Sequence, residues 1–233
     1  MLLHLLELRR RMLHVVTFFM ILFLLFFLLA PNLFHALVFP LLKVLPTDDS
    51  LIAMHITTPL MTPVKLAADA ALLSTTPFAL LHAWRFASPG LYQRERNSVR
   101  WAIIGSLVLF FLGMLFSFFL ILPFMFGFFA RAVPAGVRLM PDMGYAVDFI
   151  TRMLLTFGLC FQIPLLCWLL ARLQIVSVAT LKMIRPYVMV TAFTVGMLLT
   201  PPDVLSQIML AVPLCLLYET GILLARFGQP YFG

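Results

Sequence analysis

The chain has 233 residues, of which 63% are hydrophobic and only 11% are charged. A soluble domain carries about 25% charged residues, so this much apolar surface needs lipid and excludes an ordinary soluble fold. The formal net charge of +7 gathers between apolar runs rather than along an aromatic-and-basic face, which excludes a nucleic-acid binder in favour of a membrane protein.

The first predicted element follows Arg9-Arg10-Arg11. A basic stretch before an apolar run has the look of a secretory leader. However, residues 12–42 contain no Asp, Glu, Lys or Arg, far beyond a leader's apolar core of about 7–15 residues. A retained membrane helix is therefore expected over 13–37. A second span is expected over 66–86, kinked at Pro77 because an interior proline removes a backbone hydrogen bond. The third, over 101–130, is long enough to tilt. The fourth covers 149–171, with a second kink at Pro164. The last two, over 187–200 and 204–225, are expected to be short helices joined by the turn Thr200-Pro201-Pro202-Asp203. A span shorter than the bilayer thins it locally.

Six spans place both termini on one side. With that side cytoplasmic, eleven of the 16 Lys and Arg residues fall inside and five outside, so the chain reads as N-in and C-in. The whole is expected to be one all-α transmembrane domain over 1–233. The outer loops over 39–62 and 131–148 are long enough to hold short capping helices. The three cysteines lie in apolar runs without metal-ligand or disulfide spacing, and the five histidines are scattered.

Polar residues carry the functional reading. Glu7 stands beside three arginines on a side where positive charge is wanted. Alone it reads as an i,i+4 pair with Arg11, worth about 0.2–0.5 kcal/mol. The first inner loop, Ser88 to Asn97, repeats the pattern with Glu95 between Arg94 and Arg96. Two such carboxylates, if brought together, suit bidentate binding of guanidinium groups. Asp69 lies four residues after Lys65, where a local ion pair is expected. Gln162 sits deep in the fourth span, where its amide must find a partner, either the backbone freed by Pro164 or another helix. Thr200 and Gln207 flank the last turn, Asp203 reads as the N-cap of the sixth helix, and Glu219 has Arg226 or another inner arginine as partner. A six-span carrier for an ion or small molecule is the alternative, but it would need charged groups converging at midplane and an internal repeat. The sequence has neither. No nucleophile–base pair, Walker loop or metal-ligand set points to an enzyme.

The segments HLLELRRRML, FPLLKVLP, TPLMTPVKL, WRFASPGLYQRER, FGLCFQIP, KMIRPYVMV, GMLLTPPDVLSQ and PLCLLYETG occur in an order and spacing that resembles the TatC family, the multispanning subunit of twin-arginine translocases of the proteobacterial type. The resemblance implies a concave, glove-like bundle in the bacterial inner membrane. It implies a receptor for signal peptides of folded cargo, with Glu7 and Glu95 facing the paired arginines. Leu8, Arg9, Phe86, Pro89, Arg94 and Arg96 would shape that surface, and Pro40 matches a family position in the outer loop. Met197, Thr200 and Gln207 would dock the single-span subunits TatA and TatB, within a complex in which the chain also self-associates. No cofactor is implied, only the proton-motive force. The family usually has Glu where this chain has Gln162, so a titrating acid is not expected there, while a buried polar contact is.

Overall fold

The structure, a computed structural model of the chain, describes residues 2–44, 51–87, 96–134, 140–200 and 204–227, with side chains described at 6–44, 51–83, 103–134, 140–200 and 204–227. Nearly every described residue is helical. Helix α1 is Leu2–Leu28, α2 Ala30–Leu42, α3 Thr58–Ala87, α4 Arg96–Phe116, α5 Leu122–Ala132, α6 Met143–Cys160, α7 Ile163–Arg172, α8 Val178–Met183, α9 Arg185–Leu199 and α10 Val204–Phe227. Among the described residues five stretches are long and apolar enough to cross a membrane. They are Leu6–Leu28, Thr58–Ala83, Ile103–Ala132, Met143–Arg172 and Val204–Phe227. Helix α9 is apolar but has only 15 residues, about 22 Å of helix against a hydrocarbon core of about 30 Å.

Prolines decide where these helices break. The expected first span over 13–37 is shorter than its apolar run, because α1 ends at Leu28 and Leu29 leaves helical geometry with φ −98° and ψ 5°. Pro31 has no N–H and its ring crowds the carbonyl four residues back, so residues 30–42 restart as α2, with Pro31 in the first turn where a missing N–H costs nothing. The third span runs from α4 through a π-helical turn, Ser117–Ile121, into α5. The Leu122 N–H reaches back five residues to the Ser117 carbonyl, a widening that sits directly before Pro123. At Pro164 the fourth span breaks between α6 and α7, as the proline predicted. By contrast α3 runs through Pro63 and Pro77, and α10 through Pro213, without interruption. The sixth helix, expected over 204–225, runs to Phe227, and its 24 residues are enough to cross a membrane, so of the last two only α9 is short. Glu219, expected to meet Arg226 or another inner arginine, pairs with Arg185 of α9, Nη2 to Oε2, at 2.6 Å.

The chain forms two compact units, Met1–Ile103 with Leu115–Leu155, and Ile104–Met114 with Thr156–Gly233. In the first, α1 packs on α3, and α2 packs on α3 and α5, around Val38, Leu66, Ala67, Leu122, Met125, Val147 and Ile150. Outside the membrane run, the strand-like segment at Ile52 is tied to the start of α6. Ile52 N–H donates to the Pro141 carbonyl at 3.0 Å and Met143 N–H donates to the Ile52 carbonyl at 2.9 Å. Asp142 caps α6, accepting from Gly144 and Tyr145 N–H through Oδ1 and from Met54 N–H through Oδ2 at 2.9 Å. The Met54 bond, with those from Tyr145 and Gly144, holds the Asp142 carboxyl below its usual value, partly offset by burial.

In the second unit α10 packs against α7, α8 and α9. Cys167, Ala171, Leu181, Tyr218 and Ile222 form one core cluster, and the Tyr218 hydroxyl donates to the Leu181 carbonyl at 2.7 Å. Ser177 caps α8 by accepting from Thr180 N–H. The 104–114 stretch of α4 lies on residues 157–158 at close range. A Cβ on Gly113 would come within 2.5 Å of the Phe157 carbonyl oxygen, and one on Gly158 within 2.7 Å of the Phe110 ring. Small residues of this kind let membrane helices approach closely.

Gly113→Ala should therefore destabilise the protein by about 1–3 kcal/mol through overpacking against backbone. Gly127→Ala, which meets nothing within 4 Å, should be neutral or slightly stabilising; thermal unfolding in detergent distinguishes the two. The depressed Asp142 carboxyl stabilises the tie to Met54 above the ordinary carboxylate value of 3.8, and that contribution is lost as pH falls through the lower folded-state value. Hydrogen exchange at the Met54 amide should stay protected at neutral pH and open in acid below that value. In Asp142→Ala it should be open at every pH.

Candidate functional site

At the arginine-bearing end of α1, the helical spacing brings Glu7 and Arg11 together, as the i,i+4 pattern predicted. Arg11 Nη2 pairs with Glu7 Oε1, and Nε donates to the same oxygen at 3.2 Å. The Arg11 Nη1 donates to the His82 carbonyl of α3 at 3.1 Å. One arginine therefore fixes Glu7 and joins two helices. Both Arg11 bonds fall on Oε1. The Glu7 side chain remains 41% exposed, and its Oε2 accepts no hydrogen bond from the described residues.

Leu8 and Arg9 are exposed beside it. Below them an almost wholly apolar cleft of about 350 Å³ opens between α1 and α3, lined by Leu8, Arg11, Met12, Val16, Ala79 and Ala83, among others. Above the same helix pair Phe18 packs on Phe78 at 4.6 Å between ring centroids, and Phe78 meets His82 edge-on at 4.5 Å. Pro89, Arg94 and Glu95 lie outside the described residues, as does Asp203. The backbones at Phe86 and Arg96 belong to α3 and α4, and their side chains lie outside the described ones.

Within the second unit Gln162 is 4% exposed and Ser106 is 1% exposed. The Ser106 hydroxyl donates to Gln162 Oε1 at 2.8 Å, and Gln162 Nε2 donates to the Ser106 carbonyl at 2.9 Å. The partner is thus another helix, not the backbone that Pro164 frees. The break itself presents Gln162: its N–H turns to Leu159 three residues back at 3.0 Å, and its carbonyl accepts from Leu166 across the gap. Ser106 went unnoticed in the sequence, although Gly105-Ser106 inside an apolar run was a signal.

At the α9–α10 turn, Gly196 packs against Gln207, where a Cβ would approach Gln207 to 3.3 Å. Gln207 Nε2 donates to the Phe193 carbonyl at 2.9 Å. Thr200 is buried and donates to the Gly196 carbonyl at 2.9 Å, while Met197 is 56% exposed. Thr200 is thus a buried polar group near the half-buried Gln207, with Met197, Leu198, Val204 and Leu205 exposed around them. Pro40 is buried within α2. The expected Lys65–Asp69 pair is replaced by a cross-helix one: Lys65 Nζ meets Asp148 Oδ2 at 3.2 Å, and Asp69 instead accepts from Thr151.

The family model described as Sec-independent protein translocase protein (TatC) matches residues 3–213. A relative of that name from Haemophilus influenzae is 40% identical over 227 residues, covering 97% of this chain and 89% of the relative. One from Escherichia coli K12 is 39% identical over 224 residues, covering 96% and 87%. A solved structure, the crystal structure of the twin arginine translocase receptor TatC, superimposes with a TM-score of 0.87 at 30% identity, covering 97% of this chain and 99% of that one.

At about 0.6 kcal/mol per hydrogen bond between membrane helices, Gln162→Leu should lose about 1 kcal/mol of stability and leave the Ser106 hydroxyl without its partner. Gln162→Glu keeps the acceptor for that hydroxyl and, when protonated, a donor for the Ser106 carbonyl. Export of a reporter cargo should fall further in the Leu variant than in the Glu variant; equal, full activity in both would contradict the role assigned to the pair.

Proposed function

The chain belongs to the TatC family of Sec-independent protein translocases, and on that premise we propose how this multi-pass inner-membrane receptor component recognises its cargo. The paired arginines of a signal peptide bind at the inner surface, where Glu7 offers one carboxylate and Glu95 the other. Glu7 supports this reading most directly. Its Oε1 is held by Arg11, which orients the carboxylate, while Oε2, which accepts no hydrogen bond from the described residues, would receive an incoming guanidinium. Arginine suits such a site better than lysine because its planar fork can meet a carboxylate with two parallel bonds.

The apolar part of the peptide then follows the cleft below Leu8. That cleft begins one helical turn from Glu7 and offers almost no polar surface. Exposed Leu8 and Arg9 border its entrance, and the family motif adds Phe86, Pro89, Arg94 and Arg96 to the recognition surface. Single-span subunits of the TatA and TatB type dock at the α9–α10 turn, through Met197, Thr200 and Gln207. Short α9 favours this, because a thinned bilayer around it exposes the edge of the turn to a neighbouring helix. Pro40 shapes the outer cap of the first unit. The work is binding and assembly rather than bond chemistry, and the proton-motive force supplies the energy without a bound cofactor.

Photo-crosslinking residues placed at 7 and 95 should both label a twin-arginine peptide. Labelling by the twin-lysine peptide should be weaker by about tenfold, the equivalent of about 1.4 kcal/mol. Equal labelling by both peptides, or none by either, would remove the mechanism.

A further inference from the structure

Asp69 lies on α3 one helical turn from Lys65, half-buried within a membrane span. Its geometry is unusual for a carboxyl so placed. The nearest cation on its own helix bonds elsewhere, to Asp148 on α6. Asp69 Oδ2 faces the Thr151 hydroxyl at 2.9 Å, and that hydroxyl oxygen is also 2.9 Å from the Val147 carbonyl and 3.3 Å from the Asp148 carbonyl.

A hydroxyl has one proton to give and two lone pairs to receive. Thr151 therefore cannot donate fully to both Asp69 and Val147. With Asp69 ionised, the Thr151 proton points to Oδ2. With Asp69 protonated, its O–H donates to Thr151 Oγ1, and the Thr151 proton turns to the Val147 carbonyl. Both states leave these oxygens hydrogen-bonded, and only a hydroxyl rotates between them. An unsatisfied group in hydrocarbon would cost several kcal/mol in either state, so an arrangement that serves both is chemically distinctive.

Water can reach the neighbourhood. A cavity of about 300 Å³ at the outer end of this unit is lined by Thr58, Thr62, Lys65, Asp142 and Asp148, so the Lys65–Asp148 pair stands between it and Asp69. We infer that Asp69 is a proton-binding site fed from the outer aqueous side, with Thr151 as the hydroxyl that accommodates both protonation states. Uptake transfers one proton from outer water to the Asp69 carboxylate and makes it neutral; release returns it, and nothing else is consumed. The charged groups facing Asp69 are Lys65 on its own helix and Asp148 and Arg152 on α6. Helix α1 brings no titratable group between Thr17 and Leu28, α2 brings the exposed His35, and His55 lies on the cavity wall. The inference is independent of the peptide-binding reading.

The test is an infrared titration of the full chain in lipid nanodiscs, without signal peptide or partner subunits. A carbonyl-stretch component of a protonated carboxyl should grow in as pH falls, be absent in Asp69→Asn and persist in Thr151→Ser. In Thr151→Val, which removes the rotating hydroxyl, the midpoint should move by about one pH unit or more, a change of about 1.4 kcal/mol. No band that responds to pH, an unchanged band in Asp69→Asn, or an unmoved midpoint in Thr151→Val would each overturn the assignment.

Discussion

Hydrocarbon offers no partner for an amide, and that constraint organises the chain from end to end. Each backbone N–H and C=O within the lipid must be satisfied by the protein itself, so nearly the whole described chain is helical, and the places where it is not are set by residues that cannot donate. Pro31 separates the first membrane helix from α2. Pro123 follows a π-helical turn that keeps the third span continuous. Pro164 opens the gap between α6 and α7. That third break has a consequence for the site, because it turns Gln162 to face Ser106.

The same constraint governs the side chains. Several polar groups of the described helices answer one another across helices. Gln162 and Ser106 exchange two bonds, Glu219 takes Arg185, Tyr218 takes the Leu181 carbonyl, and Lys65 takes Asp148. Each pair makes a helix contact that lipid-like Leu and Phe surfaces would leave unspecified. At the inner end the logic changes, because water is present. There Arg11 holds Glu7 by one oxygen, and the other accepts no hydrogen bond from the described residues.

Much of this was legible from the residues. Apolar run lengths located the spans, Lys and Arg asymmetry oriented them, and the i,i+4 spacing of Glu7 and Arg11 gave a contact the fold retains. What was not legible depends on groups distant in sequence. Ser106 is 56 positions from Gln162, so no local pattern could join the two, although Gly105-Ser106 in an apolar run marked the serine. Lys65 and Asp69 have ideal helical spacing, yet Asp148, 83 positions away, wins the lysine because an opposing helix presents it. The first span was overestimated because hydropathy rises straight through Pro31, which the backbone cannot follow as one helix. The sixth, expected over 204–225, ends within two residues of that at Phe227, and the inner arginine that Glu219 meets is Arg185. Of the proposed recognition surface, only the Glu7–Arg11 contact on α1 is described by the structure; Glu95 and its loop rest on the motif.

The central claim is that Glu7 and Glu95 act as one guanidinium receptor. A double-mutant cycle tests it most directly, with binding of a twin-arginine peptide measured on the intact protein, Glu7→Ala, Glu95→Ala and the double variant. A shared site predicts coupling of at least about 1 kcal/mol between the two substitutions. Losses that simply add, to within about 0.5 kcal/mol, would contradict it.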